Sequence, residues 1–331
     1  MTNGKDKNAG VFSRSGAVPL RLVLLLFSGL LLVGCQKKGK EGQGAVGRPF
    51  EVVLVGNDDD ALGAVEEALS VPCEALPQDE PAFDVVKTGK TLTPATRIYR
   101  NIVVVETDSS RYDHTLIRHE KNAFVTGQLL VYVTSPSARR LSKDLDKKNA
   151  DRLRNMLERN ELNAAAARLN ESHNAQSERM IREIMQLNMQ VPEGMVRSKQ
   201  GKDFVWLSDD GVEVMQNICL YSFSADAWDY RRFPDKRDSV MKANIPGEKD
   251  GMYMETVGRT VLARQQQGRL VFRGLWQMSG DMMGGPFVAH VVEHQGRIIV
   301  AEAFVFAPGH KKRNTMRQLE AALYTVTLQD R

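Results

Sequence analysis

Residues 287–306, FVAHVVEHQGRIIVAEAFVF, carry the strongest indication of the fold. Two runs rich in β-branched residues are separated by the dipeptide Gln295-Gly296. β-Branched residues favour strands, and a two-residue connection ending in glycine is typical of a tight antiparallel turn. The stretch therefore predicts a β-hairpin.

The same stretch contains His290, Glu293 and His294 in the order H-x-x-E-H, which is the signature of the inverted zinc peptidases. That zinc site needs a helix, on which residues four apart share a face. On a strand, Glu293 would point away from both histidines. No later cluster of Glu or His supplies a third ligand. The sequence therefore predicts no catalytic residue, no metal and no cofactor here, and a solvated or edge-strand histidine pair.

Working outward, short apolar runs at Phe50, Phe83, Asn101 and Gly127 predict further strands. Apolar residues at helical spacing predict helices over 60–70, 137–170 and 176–189.

The acidic run GNDDD, residues 56–60, follows the first predicted strand. Its carboxylates could hold a divalent cation. Acidic residues also favour the N-terminus of a helix, where the helix dipole is positive, and we favour this second interpretation with Asp60 as the N-cap.

Four short anchors recur in the same order along the chain. Val71-Pro72 matches Val191-Pro192, Phe83 matches Phe204, Asn101-Ile102 matches Asn217-Ile218, and Pro136 matches Pro308. They predict an α+β fold with two duplicated halves, each a small mainly antiparallel sheet packed on helices. Chance matching is the alternative. The predicted halves are 50–175 and 176–331, the second with an inserted surface loop around 224–256.

The net charge of +4 comes mostly from the N-terminus. The first 34 residues contain four basic side chains and one acidic side chain, and the remainder has 41 basic and 40 acidic residues. Because the remainder is nearly balanced, we expect no nucleic-acid partner.

Residues 22–33 form an apolar run of twelve residues after a basic segment, and Cys35 ends the motif LVGC. The run is short for a membrane span and typical of a signal peptide. LVGC resembles a bacterial lipobox, which implies lipid attachment at Cys35. The chain is thus predicted to comprise a lipoprotein signal peptide (1–34) and a flexible tether (35–49) before the folded halves. An ordinary secretory peptide with a chance cysteine is the alternative.

Two further cysteines, Cys73 and Cys219, leave a disulfide open. Cys219 lies in an apolar run and is expected to be buried, whereas Cys73 follows a proline in a predicted loop. Sequence alone does not supply the geometry that would pair them.

Two predicted helices begin with cations, where the positive end of the helix dipole disfavours them. Together with backbone N–H groups, such cations suit an anion, for example a lipid phosphate, an anionic glycan or a partner's carboxylate. A solvated basic face is the alternative. The candidate anion-binding residues are Arg139, Arg140, Lys143, Lys311, Lys312 and Arg313.

The C-terminal motifs resemble an uncharacterised lipoprotein family of the Bacteroidota, a domain of unknown function. The matching segments are 273–276 (RGLW), 283–287 (MGGPF), 304–308 (FVFAP), Lys312-Arg313, 50–69 and 100–106. The motifs are structural rather than chemical, and His290 and His294 are not among them.

This resemblance implies an envelope lipoprotein of unassigned activity. Lysines after Cys35, in place of the acidic run that accompanies surface export, favour the periplasmic face of the outer membrane. The sequence favours a binding or scaffolding role, with an envelope protein or an anionic lipid or glycan as partner. A cell-envelope hydrolase without a recognisable motif is the alternative.

Overall fold

The computed structural model describes residues 44–226 and 228–329. In the first half, the elements are β1 (Glu51–Gly56), α1 (Asp59–Leu69), β2 (Asp84–Thr88), β3 (Asn101–Thr107), β4 (Leu116–Lys121), β5 (Leu129–Ser135), α2 (Ala138–Asp144) and α3 (Lys147–Glu171). In the second half, they are α4 (Ala175–Met185), β6 (Leu187–Asn188), β7 (Arg197–Gly201), β8 (Phe204–Ser208), β9 (Met215–Ser224), α5 (Phe233–Asn244), β10 (Tyr253–Gln266), β11 (Arg269–Ser279), β12 (Gly284–His294), β13 (Arg297–Phe306), α6 (Arg313–Tyr324) and β14 (Thr327–Leu328). The predicted α+β class is confirmed.

The first half contains a five-stranded sheet in the order β2-β1-β3-β5-β4. Strands β1, β2, β3 and β5 are parallel, and only β4 pairs antiparallel, on the outer edge of β5. The prediction of a mainly antiparallel sheet is therefore wrong for this half. The apolar runs in β1, β3 and β5 lack polar alternation because both faces are covered, a pattern typical of parallel strands.

The two faces of this sheet are covered differently. Helices α1, α2 and α3 pack on one face, where side chains such as Leu54 and Val131 form the core. The other face presents Val53 and Ile102, and it is covered by loop side chains that include Tyr99.

The second half is a seven-stranded antiparallel sheet in the order β10-β11-β12-β13-β9-β8-β7. Strand β13 lies in its interior, and its alternate residues enter two different cores. Ile299 and Ala301 face the core formed with α4 and α6, whereas Ile298 and Val300 face the core formed with α5. Because both faces are buried, the strand is apolar almost throughout.

The predicted hairpin is confirmed as β12 and β13. Its two connecting residues, Gln295 and Gly296, both have positive φ, at 48° and 73°. This is the backbone twist that two-residue hairpin turns require.

The predicted duplication is wrong. The anchors at Phe83 and Asn101 mark β2 and β3, which are separated in the sheet by β1. Their supposed counterparts at Phe204 and Asn217 mark β8 and β9, which are direct antiparallel neighbours. The halves therefore differ in topology, and the anchors match by chance.

The predicted surface loop around 224–256 is also wrong, because it contains helix α5. Phe233, Arg237 and Met241 recur every fourth residue and are buried against the sheet. A charged residue in the middle of this stripe hid the helical pattern, and Pro234 is tolerated because it lies in the first turn.

Arg237 belongs to a set of polar side chains sealed inside the second half, named here the sealed network (Arg237, Glu302, Tyr221 and Thr256). Its guanidinium lies 2.7 Å from Glu302, and neither side chain is exposed. The Tyr221 hydroxyl donates to Glu302 at 3.1 Å, and Arg237 also donates to Thr256 at 3.2 Å. Every charge in the network has a partner, as burial requires.

Two motif glycines allow elements of the second half to approach closely. A Cβ at Gly274 would lie 2.8 Å from the Phe287 ring, and one at Gly285 would collide with the Val305 carbonyl. Real Cβ atoms do not approach this closely, so these positions require glycine for packing. This supports a structural role for the motifs.

Helix α3 connects the two halves. Leu153 and Leu157 pack in the helix-covered core of the first half, whereas Leu169 joins the core of the second. Between them, Leu162 packs on Ala321 of α6. All described residues belong to one compact unit. Within the described residues, no helix combines the length and apolar character needed to cross a membrane.

Candidate functional site

The H-x-x-E-H residues lie on β12, as the predicted strand required. His290 is only 1% exposed and lies in an interior strand, so the prediction of a solvated or edge-strand histidine is wrong for it. Glu293 is exposed, as expected for the opposite face of the strand. Across residues 44–226 and 228–329, no three His, Cys, Asp or Glu side chains cluster as a metal site would need.

The basic start of α6 does hold an anion, and the anion belongs to this chain. The helix begins at Arg313. The Lys312 and Arg313 backbone N–H groups donate to the two carboxylate oxygens of Glu80, at 2.6 and 3.0 Å. The Arg313 guanidinium donates to Asp84 at 2.7 Å, whereas Lys311 is exposed. These donors are thus occupied by carboxylates of the same chain, whereas the sequence predicted an external anion.

The other basic helix start, at α2, is on the surface. Ser137 caps the helix, Arg139 and Lys143 are exposed, and Arg140 pairs with Asp144 at 2.7 Å. This helix follows the carboxyl end of β5, whereas Glu80 precedes the amino end of β2. The two predicted groups therefore lie at opposite ends of one parallel sheet, and the structure does not bring them together.

The remaining predicted residues are placed as follows. Cys73 and Cys219 are free thiols, and Cys219 is buried in the core as expected. In GNDDD, Asp58 rather than Asp60 is the N-cap of α1, and hydrogen bonds from the Thr107 hydroxyl and the Ala61 N–H lower its pKa. Cys35 lies outside the described residues.

A cleft of about 830 Å³ opens between the two halves. One wall comprises α1, α3 and the loop before β2, and the other comprises the β10–β11 turn region and α6. Apolar and charged side chains alternate around it. They include Phe50, Val71, Cys73, Phe83, Ser142, Leu145, Lys147, Asp151, Arg154, Glu158, Arg264, Arg273 and Arg317.

Four charged side chains join the two walls, and we name them the cleft network (Arg273, Arg317, Glu158 and Glu320). Arg317 of α6 pairs with Glu158 of α3, across the boundary between the halves. It also lies 3.0 Å from Glu320, which in turn accepts from Arg273 at 3.1 Å. The network therefore runs from β11 through α6 to α3.

Burial and charge act in opposition on this network. Burial alone would raise the pKa of Glu320, but Arg273 and Arg317 outweigh it and hold that pKa well below its usual range. Burial would also lower the pKa of Arg317, but Glu158 and Glu320 raise it overall. The charges on Glu320 and Arg317 are therefore both fixed at neutral pH.

His290 of β12 and Tyr324 of α6 lie beside the cleft network in the second half. The His290 ring packs edge-on against Tyr324, with centroids 4.4 Å apart, and its Nε2 lies 3.5 Å from Glu320. Both ring nitrogens and the Tyr324 hydroxyl are buried without a hydrogen-bond partner among the described residues. Burial lowers the pKa of His290, against the attraction of Glu320, so the ring is neutral near pH 7.

Cys73 is the thiol on the cleft wall. Burial raises its pKa, and the nearby Arg317 and Arg313 only partly oppose this effect. A protonated thiol is a weak nucleophile, so the arrangement suits binding of a polar ligand better than attack on one.

Trp276 of the RGLW motif is buried in the α5-side core, edge-on to Phe304 at 5.4 Å. Sequence reasoning missed Arg273, Arg317 and Glu320. The available signal was Glu320, a carboxylate inside the apolar run of α6. A buried carboxylate needs a cation beside it, so its position indicates a buried ion pair.

The comparisons with known proteins match each half separately. Residues 45–170 match the model described as Domain of unknown function (DUF8532), and residues 174–325 match Domain of unknown function (DUF4837). No curated protein matches the chain.

Solved structures that match include a solution structure of cyanobacterial PsbP (CyanoP) from Synechocystis sp. PCC 6803, at 11% identity and a TM-score of 0.27. The match covers 47% of this chain and 90% of that one. A crystal structure from Bacteroides thetaiotaomicron VPI-5482 matches at 10% identity and a TM-score of 0.20, over 44% of this chain and 45% of that one. Likenesses this remote define neither fold nor function. In family terms, each half of the chain matches a different domain of unknown function.

Proposed function

We propose that this protein is a lipoprotein of the cell envelope, anchored through acyl chains on Cys35 and facing the periplasm from the outer membrane. Its role is to bind or scaffold an envelope component, in the cleft between its halves. The anchor and its location come from the LVGC motif and from the resemblance to a Bacteroidota lipoprotein family. The cleft with its charged network is the observation that supports binding.

The cleft has the properties of a preformed binding site. Its volume of about 830 Å³ is comparable with that of sites for small molecules or short peptide segments. Arg273 and Arg317 are held in place by Glu320, so they lose little conformational entropy when a ligand binds. Val71, which is exposed, and Leu145, which is partly exposed, add apolar surface to the cleft.

The alternative, a cell-envelope hydrolase, requires an activated nucleophile. Cys73 lines the cleft, but burial keeps its thiol protonated. No specific observation favours the hydrolase, and we therefore propose a binding protein.

The anchor is tested by Cys35→Ala. We expect the variant to leave the membrane fraction or to remain unprocessed, because acyl chains on the cysteine would provide the attachment. Fractionation and intact mass measure both outcomes. A mature-size Cys35→Ala protein that still sediments with membranes would contradict the proposal.

The cleft is tested by the alkylation rate of Cys73 in the detergent-solubilised full chain. We expect at least one class of envelope material (peptidoglycan fragments, glycans, lipids or envelope proteins) to slow the reaction. Cys219 is fully buried and should not contribute. If no class changes the rate, the cleft is not the binding site.

Two adjacent substitutions provide the matched control. Ser142 lines the cleft and Lys143 does not, although both are exposed on α2. Ser142→Trp should fill part of the cleft and abolish protection of Cys73, whereas Lys143→Trp should retain it. Equal behaviour of the two variants would count against binding in the cleft.

A further inference from the structure

We infer that one surface of the first half, named here the entry rim (Arg97, Lys121, Phe124 and Thr126), lies against the anionic headgroups of the membrane. This inference rests on the proposed lipid anchor at Cys35 and goes beyond it, because it assigns the face of the protein that meets the bilayer.

The described chain begins at this rim. The Ala45 N–H donates to the Thr126 carbonyl at 3.0 Å, and the Val46 N–H donates to the Ile98 carbonyl at 2.9 Å. The Arg100 N–H then donates to the Val46 carbonyl at 2.8 Å. These backbone bonds fix the position of the first described residues on the fold.

The distance from the anchor is limited by chain length. Nine Cα-to-Cα steps separate Cys35 from Gly44 in the sequence, and at full extension they span no more than about 30 Å. Helix α3, with 25 residues, is longer than this at about 37 Å. The bilayer must therefore lie closer to the entry rim than the length of that helix.

The charges of the entry rim suit an anionic surface. Arg97 and Lys121 are exposed, and neither pairs with a carboxylate among the described residues. The Arg97 guanidinium lies 5.0 Å from the centre of the Phe124 ring, which is partly exposed. A cation stacked on an aromatic ring suits the headgroup region of a membrane. There the ring can contact the apolar acyl chains while the guanidinium remains in water.

The preceding sequence adds charge of the same sign. Lys37, Lys38 and Lys40 lie between Cys35 and the rim, against the single acid Glu41. Basic clusters next to an anchor attract anionic lipid near the membrane surface. Glu120 on β4 is also exposed, and its negative charge partly offsets these cations.

The predicted basic group on α2 lies at the other end of the sheet. Strand β5 runs from the entry rim to the start of α2, and its seven residues span about 23 Å. Arg139 and Lys143 therefore face away from the membrane in this arrangement. They are exposed and have no carboxylate partner within residues 44–226 and 228–329, so they provide a control for Arg97 and Lys121.

The test uses lipidated full-length mature protein in vesicles of phosphatidylcholine, with or without phosphatidylglycerol. Amine acylation and mass spectrometry measure the reactivity of Lys121 and Lys143 in the same sample. We expect phosphatidylglycerol to lower Lys121 reactivity by about threefold or more, reversibly with salt, and to leave Lys143 unchanged. Equal changes at both lysines, or no change at Lys121, would overturn the inference.

Charge reversals provide the matched variants, with Lys121 kept as the reporter. Arg97→Glu should remove the protection of Lys121, whereas Arg139→Glu should leave it intact. Equal protection of Lys121 in the two variants would also overturn the inference.

The intact mass of the membrane-extracted protein separates this inference from the proposed function. A protein without acyl chains on Cys35 would refute the proposed lipid anchor and, with it, the limit that chain length sets on the distance to the bilayer. An acylated protein with no selective protection of Lys121 would refute only the membrane contact of the entry rim.

Discussion

The sealed network and the cleft network both pair arginine with carboxylate, and they differ in burial and in what they join. In the sealed network, Arg237 and Glu302 lie within the second half, entirely unexposed. In the cleft network, Arg317 connects α6 to Glu158 in the first half, and His290 behind it has two unpartnered nitrogens among the described residues. The sealed network thus stabilises one core, whereas the cleft network joins the two halves. The His290 ring nitrogens beside it retain hydrogen-bonding capacity that no described residue uses, a feature that often accompanies a functional site.

The largest effect should come from breaking the sealed network. Arg237→Met leaves the Glu302 carboxylate buried without its cation, so we expect a loss of about 3–5 kcal/mol in the free energy of unfolding. Urea denaturation measures it. Replacing both partners, as Arg237→Met with Glu302→Leu, should recover most of the loss because no charge is left alone. A single variant as stable as the double variant would show that the pair is not sealed from water.

A smaller effect is expected from the cleft network. Arg317→Met removes the link to Glu158, but Glu320 keeps Arg273, so we expect a loss of about 1–3 kcal/mol. A double-mutant cycle with Glu158→Gln should give a coupling of about 1 kcal/mol between α6 and α3. Coupling close to zero would mean that this pair does not join the halves.

His290 should make stability depend on pH. Because burial lowers its folded-state pKa below the unfolded value of 6.5, the unfolded chain binds a proton first as the pH falls. Stability should therefore fall below pH 6.5, by up to about 1.4 kcal/mol per pH unit, until the folded-state pKa is reached.

His290→Phe should remove that slope and keep the edge-on contact with Tyr324. Urea midpoints measured from neutral to mildly acidic pH test this expectation. His294→Phe, on the same strand, is the control and should retain the slope because His290 is intact. A slope that persists unchanged in His290→Phe would assign it to another group.

The smallest effect is expected at the mouth of the cleft, where Arg264 pairs with Glu74 of the first half. Both side chains are largely exposed, at 59% and 44%, so Arg264→Gln should cost less than about 1 kcal/mol. Added salt should abolish the difference. A loss as large as that of Arg317→Met would make the two contacts between the halves equivalent.

Sequence reasoning predicted the features that depend on local chemistry. The β12–β13 hairpin followed from β-branched residues around Gln295-Gly296, and the burial of Cys219 followed from its apolar neighbours. Strand pairing was missed because it depends on contacts between distant segments. Uninterrupted apolar runs in β1, β3 and β5 do indicate a parallel sheet, but the supposed repeat drew the interpretation towards two antiparallel halves.

The site was less predictable than the fold. Cations at the start of α6 suggested an external anion, but the backbone N–H groups there bind Glu80, which lies 232 residues away from Lys312 in the sequence. The cleft network draws on α3, β11 and α6, and no local pattern brings these elements together. Helix α5 was missed for a related reason, since Arg237 interrupts the apolar stripe and its partner Glu302 is on β13.

The path of α3 determines how the two matched family regions can move. Its Leu153 is embedded in one core and its Leu169 in the other, with Leu162 against α6 between them. A rigid helix anchored in both cores leaves no hinge at the family boundary, so the cleft has a nearly constant width. A ligand of the proposed binding site would therefore be selected by fit to a preset shape rather than by closure of one half on the other. The two halves should also unfold together in a single cooperative transition.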